Sequence, residues 1–276
     1  DDNGPFVQPV TGWVIGWSEN EGTGESSVKI LKTSDAGASW ALQTLPGECE
    51  GCWGNDISAV NQHVAWAAMG CQGTANTEGG ILHTSDGGAT WRLQTLPEGM
   101  ISRHIKSIKG LRSTEAWAIS LQGDVLHTVD GGVIWRLVPV KTAGGDPIDM
   151  TMVNRMDVID SDIWIVDVDG GDLGVIHSPD GGLTWRQEFL PDMEGESDGP
   201  LAISAFSSLV AWAAVNQTGY LWCTSDNGRS WNKSNDSLAA TADYDDICAS
   251  GANVVWIACN GDGSSGGFTA RVVVSE

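Results

Sequence analysis

The chain has 276 residues, with 36 acidic against 14 basic side chains, a formal net charge of −22 and a pI near 4.3. A surface this acidic repels phosphate backbones and anionic lipid, which argues against nucleic acid as a partner. No apolar run reaches the ~18 residues of a transmembrane helix, so no membrane insertion of that kind is expected, and the length suits one β core without a second domain.

In chain order, a first unit carries PFVQPV, then GWVIGW around Trp13, VKILKT, and the motif SDAGASW from Ser34. The second has NDISAV, a run around Trp66, GGILHT, SDGGATW from Ser85 and WRLQTLP. The third has IKSIKG, EAWAIS around Trp117, GDVLHT and VDGGVIW from Val129. The fourth has NRMDVI, DIWIVDV around Trp164, GVIHS and PDGGLTW from Pro179. The fifth has ISAFSS, VAWAAV around Trp212, YLWCT and SDNGRSW from Ser225. The sixth has DDICAS, VVWIAC around Trp256 and ARVVVSE, where the sequence stops.

The motif aspartates fall at Asp35, Asp86, Asp130, Asp180 and Asp226, spaced 51, 44, 50 and 46 residues apart, and the closing tryptophans at Trp40, Trp91, Trp135, Trp185 and Trp231. Short β-branched and aromatic runs bounded by Gly, Asn, Asp and Ser are strands. Four per repeat, here strands a to d, make a propeller blade. The expected fold is therefore an all-β propeller of four-stranded antiparallel blades. Six blades are counted, roughly 4–46, 54–97, 104–140, 151–191, 201–234 and 244–276, the last without its outer strand. The motif sits in the c–d turn. There its Asp accepts backbone N–H groups, its Gly takes positive φ, and its Trp covers the hairpin as it enters strand d. Eleven of the fourteen tryptophans lie in the two repeated sets and are expected to pack between blades; Trp17, Trp53 and Trp222 do not, and Trp53 is expected in a loop.

The five motifs resemble the Asp-box (BNR) repeat. Together with the Trp-centred strand b, they most resemble the Asp-box propellers related to photosystem II assembly and stability factors. Sialidases, sortilin ectodomains and xyloglucan-active glycosidases carry related boxes. The likeness spans nearly the whole chain and implies a propeller fold, with a scaffold or chaperone-like binding role as the function. The chain shows no evident basic patch to match that role.

Strand direction places the d–a and b–c loops on one face and the a–b turns and motif turns on the other. The long loops are of the first kind, so binding is expected there. That face is acidic. Asp167, Asp169 and Asp172 in VDVDGGDLG supply oxygen ligands for a structural calcium ion, although they do not complete an EF-hand loop. His83, His127 and His177 hold one strand-c position in three blades, which keeps them too far apart to share a metal. Lys32 and Cys223 hold that position elsewhere, pointing to a packing or edge role.

Cys49, Cys52, Cys71, Cys223, Cys248 and Cys259 are read as disulfide candidates in an oxidising compartment, with connectivity open. The start at Asp1 reads as the mature terminus of a secreted, cell-surface or periplasmic protein. The strand Arg271, Val272, Val273, Val274 is the edge left by the absent outer strand. A longer, seven-bladed chain, a rearranged 1–10 segment or a strand from another molecule each completes it. No catalytic constellation and no cofactor motif stand out. The two tyrosines and scattered arginines do not make a sialidase site. The reading is a non-catalytic exported scaffold for a protein or glycan partner. The alternatives are a self-assembling surface or filament subunit using the open edge, and an Asp-box glycoside hydrolase.

Overall fold

The structure is a computed structural model. It describes residues 10–20, 22, 24–71, 79–150, 153–169, 172–191, 201–215, 220–234, 243–260 and 268–274, the side chains at 168–169, 172–173, 201, 243–245, 259–260 and 268–274 excepted. Its strands form six antiparallel sheets. The first holds β1 (Gly12–Glu19), β2 (Ser26–Thr33) and β3 (Ala41–Leu42). The second holds β4 (Cys52–Ala59), β5 (Ala65–Cys71), β6 (Gly79–Thr84) and β7 (Arg92–Leu93). The third holds β8 (Ile105–Arg112), β9 (Glu115–Ser120), β10 (Val125–Thr128) and β11 (Arg136–Val138). The fourth holds β12 (Val153–Ile159), β13 (Asp162–Asp169), β14 (Asp172–Ser178) and β15 (Arg186–Phe189). The fifth holds β16 (Leu201–Ala205), β17 (Ala211–Val215), β18 (Leu221–Thr224) and β19 (Asn232–Lys233). The sixth holds β20 (Asp243–Gly251), β21 (Val254–Asn260) and β22 (Phe268–Val274).

Each sheet is a meander whose strands pair in sequence order, as expected of propeller blades. The segment PFVQPV lies outside the described residues apart from Val10. The fourth strands are only two to four residues long, because the motif turn and its tryptophan take up the length before them.

The chain divides into two compact units, Asp1–Ala118 with His127–Arg136, and Ile119–Leu126 with Leu137–Glu276. In the first unit, Val28 and Ile30 of β2 pack with Ala65, Ala67 and Met69 of β5, Leu82 of β6 and Trp91. In the second, Trp164, Val166 and Val175 pack with Ile203, Ala211, Ala213 and Trp222, and a further cluster joins Trp212 and Leu221 to Ile247, Val255 and Ile257.

The first strands of neighbouring sheets are stitched by polar side chains. Asp56 accepts from the Ser107 hydroxyl at 2.7 Å and the Ile108 N–H at 2.9 Å. Asp157 accepts from the Ala205 N–H at 2.8 Å, and the Ala249 N–H donates to Ser204 Oγ at 3.1 Å. These first strands belong to separate sheets and share no ladder among the described residues, so short side chains satisfy some of their backbone groups instead.

Two expectations need correction. Trp53 is not in a loop: β4 begins at Cys52, directly opposite Cys71, so Trp53 is a strand residue paired with Gly70. The connection before it, one of the long loops between sheets, is also no free loop. Gly47–Cys49 form a 3₁₀ turn and Glu50 bridges to Ser27, which carries the chain straight into β4. Similarly, 139–150 folds on itself through a Lys141–Pro147 bridge and a bond from the Thr142 N–H to the Asp146 carbonyl.

Candidate functional site: the motif turns and the joints between sheets

All five motif turns share one hydrogen-bond plan. In the second, the Thr84 hydroxyl donates to Asp86 Oδ1 at 2.9 Å and accepts from the Gly88 N–H at 2.8 Å. Asp86 Oδ1 also accepts the Thr90 N–H at 2.9 Å, and Oδ2 the Thr90 hydroxyl at 2.6 Å. Asp35, Asp180 and Asp226 repeat this plan with Thr33 and Ser39, Ser178 and Thr184, and Thr224 and Ser230. Asp130 repeats it with Thr128 and the Ile134 N–H; Ile134 supplies no hydroxyl. These bonds stabilise the carboxylate form, holding Asp35, Asp86 and Asp226 at about 2. The carboxylates are anchors of the turn and not proton donors.

Two consecutive residues in each turn have positive φ: Ala36 and Gly37, Gly87 and Gly88, Gly131 and Gly132, Gly181 and Gly182, Asn227 and Gly228. The first of each pair donates its N–H to an a–b turn carbonyl of the same repeat: Val10, His63, Thr114, Ser161 and Leu209 in order. The two turn types are thereby clasped together on one face.

Three of the motif tryptophans pack edge-on against the strand-b tryptophan of the preceding sheet: Trp91 on Trp13 and Trp135 on Trp66, each with centroids 5.6 Å apart, and Trp231 on Trp164 at 6.0 Å. The second glycine of the turn lies against the same ring. A Cβ on Gly88 would meet Trp13 at 2.9 Å, one on Gly132 Trp66 at 3.0 Å, and one on Gly228 Trp164 at 2.8 Å. The strand-b ring is stacked from within its own sheet by the strand-c residue opposite it. His83 lies 3.7 Å from Trp66, His127 3.8 Å from Trp117 and His177 3.6 Å from Trp164, all nearly parallel. In the first sheet Lys32 Nζ sits 4.7 Å above Trp13 and donates to the Gly87 carbonyl at 2.6 Å. The histidines are thus packing groups. Burial drives them to the neutral form, pushing His83 down to about 4 and His177 to about 3.

Two kinds of partner escaped the sequence reading. The hydroxyl two residues before each motif Asp was present in every repeat, as in KTSD, HTSD, HTVD, HSPD and CTSD, just upstream of the motif as first delimited. The carboxylates Glu115 and Asp162, two residues before the strand-b Trp, bond His127 and His177 at 3.3 and 3.0 Å. Only two repeats carry them, so no period marked them.

The other expected sites fall as follows. Asp167 is fully buried and pairs in register with Gly174, and Asp169 and Asp172 are register partners at the far end of the β13–β14 ladder. The side chains of the last two lie outside the described residues. Among the described residues no three His, Cys, Asp or Glu side chains are grouped to hold a metal. Of the six cysteines, Cys52 and Cys71 form a disulfide. Cys49 is a buried thiol and Cys223 a half-buried one, both raised by burial to about 11; Cys248 is an exposed thiol, and the side chain of Cys259 lies outside the described residues. Arg271 to Val274 lie in β22, which pairs with β21 and with no further strand among the described residues.

Asp192, Glu194, Glu196 and Asp198, which with others make the long-loop face acidic in the sequence, lie outside the described residues. One group of the described exposed apolar side chains stands at the motif turns. Val129, Val133 and Ile134 all point to solvent, Val133 at 77 % exposure, and Leu183 of the next turn is 80 % exposed. A cleft of about 590 Å³ opens in the first unit, between Trp13 and the Val60–His63 turn.

No family model and no curated protein matches this chain. Solved structures do. A GH74 enzyme from Niastella koreensis is 13 % identical over 95 % of this chain and 44 % of its own, with a TM-score of 0.64. The nidogen/laminin complex gives 10 % identity over 90 % and 86 %, with a TM-score of 0.54. YCF48 bound to D1 peptide gives 17 % identity over 98 % and 90 %, with a TM-score of 0.49. The chain spans less than half of the GH74 enzyme. The GH74 and nidogen likenesses identify the fold as a β-propeller, in agreement with the six meander sheets.

Proposed function

We propose that this chain is a non-catalytic, exported propeller scaffold that binds a protein partner through its motif-turn face. The observation that carries this reading is the third turn. Where the other turns place Ser or Thr four residues after the Asp, this one has Ile134, flanked by exposed Val129 and Val133. The turn gives up a bond to its anchor Asp and holds three apolar side chains in water. An apolar cluster of this kind on a polar surface marks a contact site for protein. The repeated chemistry elsewhere is consumed internally, since the Asp groups hold turns and the buried imidazoles stack on indoles. The Cys52–Cys71 disulfide supports an oxidising compartment.

Val133→Asp combined with Ile134→Asp leaves the core untouched and tests the site. Wild-type and variant proteins are immobilised and exposed to the extracellular fraction of the source cell. A protein retained by the wild type and lost by the variant supports the reading; equal retention by both removes the third turn as the contact. Release of reducing ends from xyloglucan by the purified chain would overturn the non-catalytic assignment.

A further inference from the structure

We propose that Cys49, Cys52 and Cys71 form a thiol–disulfide exchange site, in which the Cys49 thiol takes over Cys52 from its present partner and releases Cys71 as a free thiol. The site uses none of the residues argued above to bind a partner.

The placement of Cys49 carries this. The 3₁₀ turn Gly47–Cys49 delivers Cys49 to the threshold of β4. The next two residues make a corner. Glu50 at φ −72°, ψ 141° and Gly51 at φ +76° match the central residues of a type II β-turn, and the Gly51 N–H donates to the Ser26 carbonyl at 2.8 Å, which holds the corner in place. Cys49 and Cys52 are the outer residues of that turn. Such a turn keeps its outer Cα atoms within about 7 Å, and disulfides span about 4.4–6.8 Å. The sulfur of Cys52 is turned back towards the corner. Its Sγ lies 3.7 Å from the Glu48 carbonyl oxygen and 3.6 Å from that of Glu50, the carbonyls on either side of Cys49. Cys49 and Cys52 are both buried in one apolar cluster with Val28, Ile30 and Met69, and Cys71 packs against it. A free thiol thus shares one pocket of core with the disulfide and sits one turn away from one of its ends.

The chemistry balances within the chain. Cys49 gives up its proton and the thiolate attacks Cys52 Sγ. The Cys49–Cys52 bond forms as the Cys52–Cys71 bond breaks. The electron pair of the broken bond passes to Cys71 Sγ, which takes up a proton. One thiol and one disulfide stand on each side, so no oxidant or reductant is consumed. Burial, reinforced by the Glu48 charge, holds the Cys49 thiol up at about 11, so near neutral pH almost none of it is thiolate and the bond stays where it is. Exchange carries the cross-link from the end of the β4–β5 ladder, where Cys52 and Cys71 are register partners, into the turn before it, and that end of the hairpin loses its covalent tie.

The test holds folded wild-type protein at steps between about pH 7 and about pH 9.5, spanning the range in which a thiol gains thiolate character. Samples are quenched in acid, labelled with N-ethylmaleimide in urea, cleaved at Glu and Asp, and mapped by mass spectrometry. At neutral pH the label is expected on Cys49 and not on Cys71. As the pH rises it should move to Cys71 while Cys49 and Cys52 appear cross-linked. The initial rate should rise about tenfold per pH unit and be independent of protein concentration. Cys49→Ala, an apolar replacement in an apolar cluster, should leave Cys71 unlabelled throughout; where that variant does not fold, the wild-type concentration series and pH profile decide alone. A wild-type Cys71 that stays unlabelled, or one labelled equally in Cys49→Ala, overturns the proposal. So does a rate that scales with concentration, which assigns the exchange to another copy. A rate that levels off near the ordinary thiol value of about 8.5 places the exchange in an opened chain and overturns it as well.

Discussion

At the scale of the residue, Trp66 shows how this molecule uses an aromatic side chain. His83 stacks on one side of its ring, while the Trp135 edge and Gly132 close the other. Trp66→Ala should cost about 3–5 kcal/mol in urea unfolding, the range for a buried tryptophan, and Trp17→Ala, at an exposed ring, within about 0.5 kcal/mol. The glycines give a sharper contrast. Gly37→Ala meets the left-handed penalty alone, about 1–2 kcal/mol, whereas Gly88→Ala adds a clash with Trp13 and should cost clearly more in the same measurement. The imidazoles predict the response to acid. Their folded pKa is depressed, so below the ordinary value of 6.5 the unfolded chain takes up protons that the folded chain refuses. Stability is complete above pH 6.5 and falls as the pH drops towards about 4 for His83 and about 3 for His177, each adding a slope of up to ~1.4 kcal/mol per pH unit. Urea midpoints between pH 7 and 4 check this; His83→Phe should flatten the curve. Below about 3.8 the turn carboxylates, held near 2, begin to lose their bonds in the same direction.

At the scale of the element, the strands and turns were legible because each is a pattern within one repeat. A Trp-centred run, a run ending in Thr or Ser, and a Gly-containing turn recur at fixed offsets. The repeated tryptophans were legible as packing between blades, but not which ring meets which: the contact from Trp135 to Trp66 joins two periods and its geometry leaves no mark within either. Trp53 was misplaced for a different reason: Gly51 and Gly54 on either side read as loop, but the Cys52–Cys71 bond draws the chain into β4. That bond closes a 19-residue separation. Its removal by Cys52→Ser with Cys71→Ser should cost about 3 kcal/mol by the loop-closure estimate, read as a lowered urea midpoint. The third-turn apolar cluster was visible in VDGGVIW as a departure from the other four turns. Its significance emerged only once the hydroxyl it lacks was seen bonding Asp86, Asp180 and Asp226 elsewhere.

At the scale of the whole molecule, charge is the dominant property. A net −22 sets the chain against itself, and few cations are placed to relieve it. Raising the salt from about 0.01 to about 1 M shortens the screening length from about 30 to about 3 Å and should raise the thermal midpoint, as followed by circular dichroism. An unchanged midpoint would mean that the acidic groups lie far enough apart, or well enough paired, for their repulsion not to matter.

The offset of the joints bears on how such a chain could have grown. A repeat cut from one motif to the next is not a closed packing unit, since it carries the lid for the repeat before it and the ring that the repeat after it will cover. Duplicating or deleting one whole repeat therefore leaves every internal lid with a ring to sit on. Copy number is then free to drift by gene duplication without a compensating mutation, and a shuffled copy is accepted wherever it lands in the series.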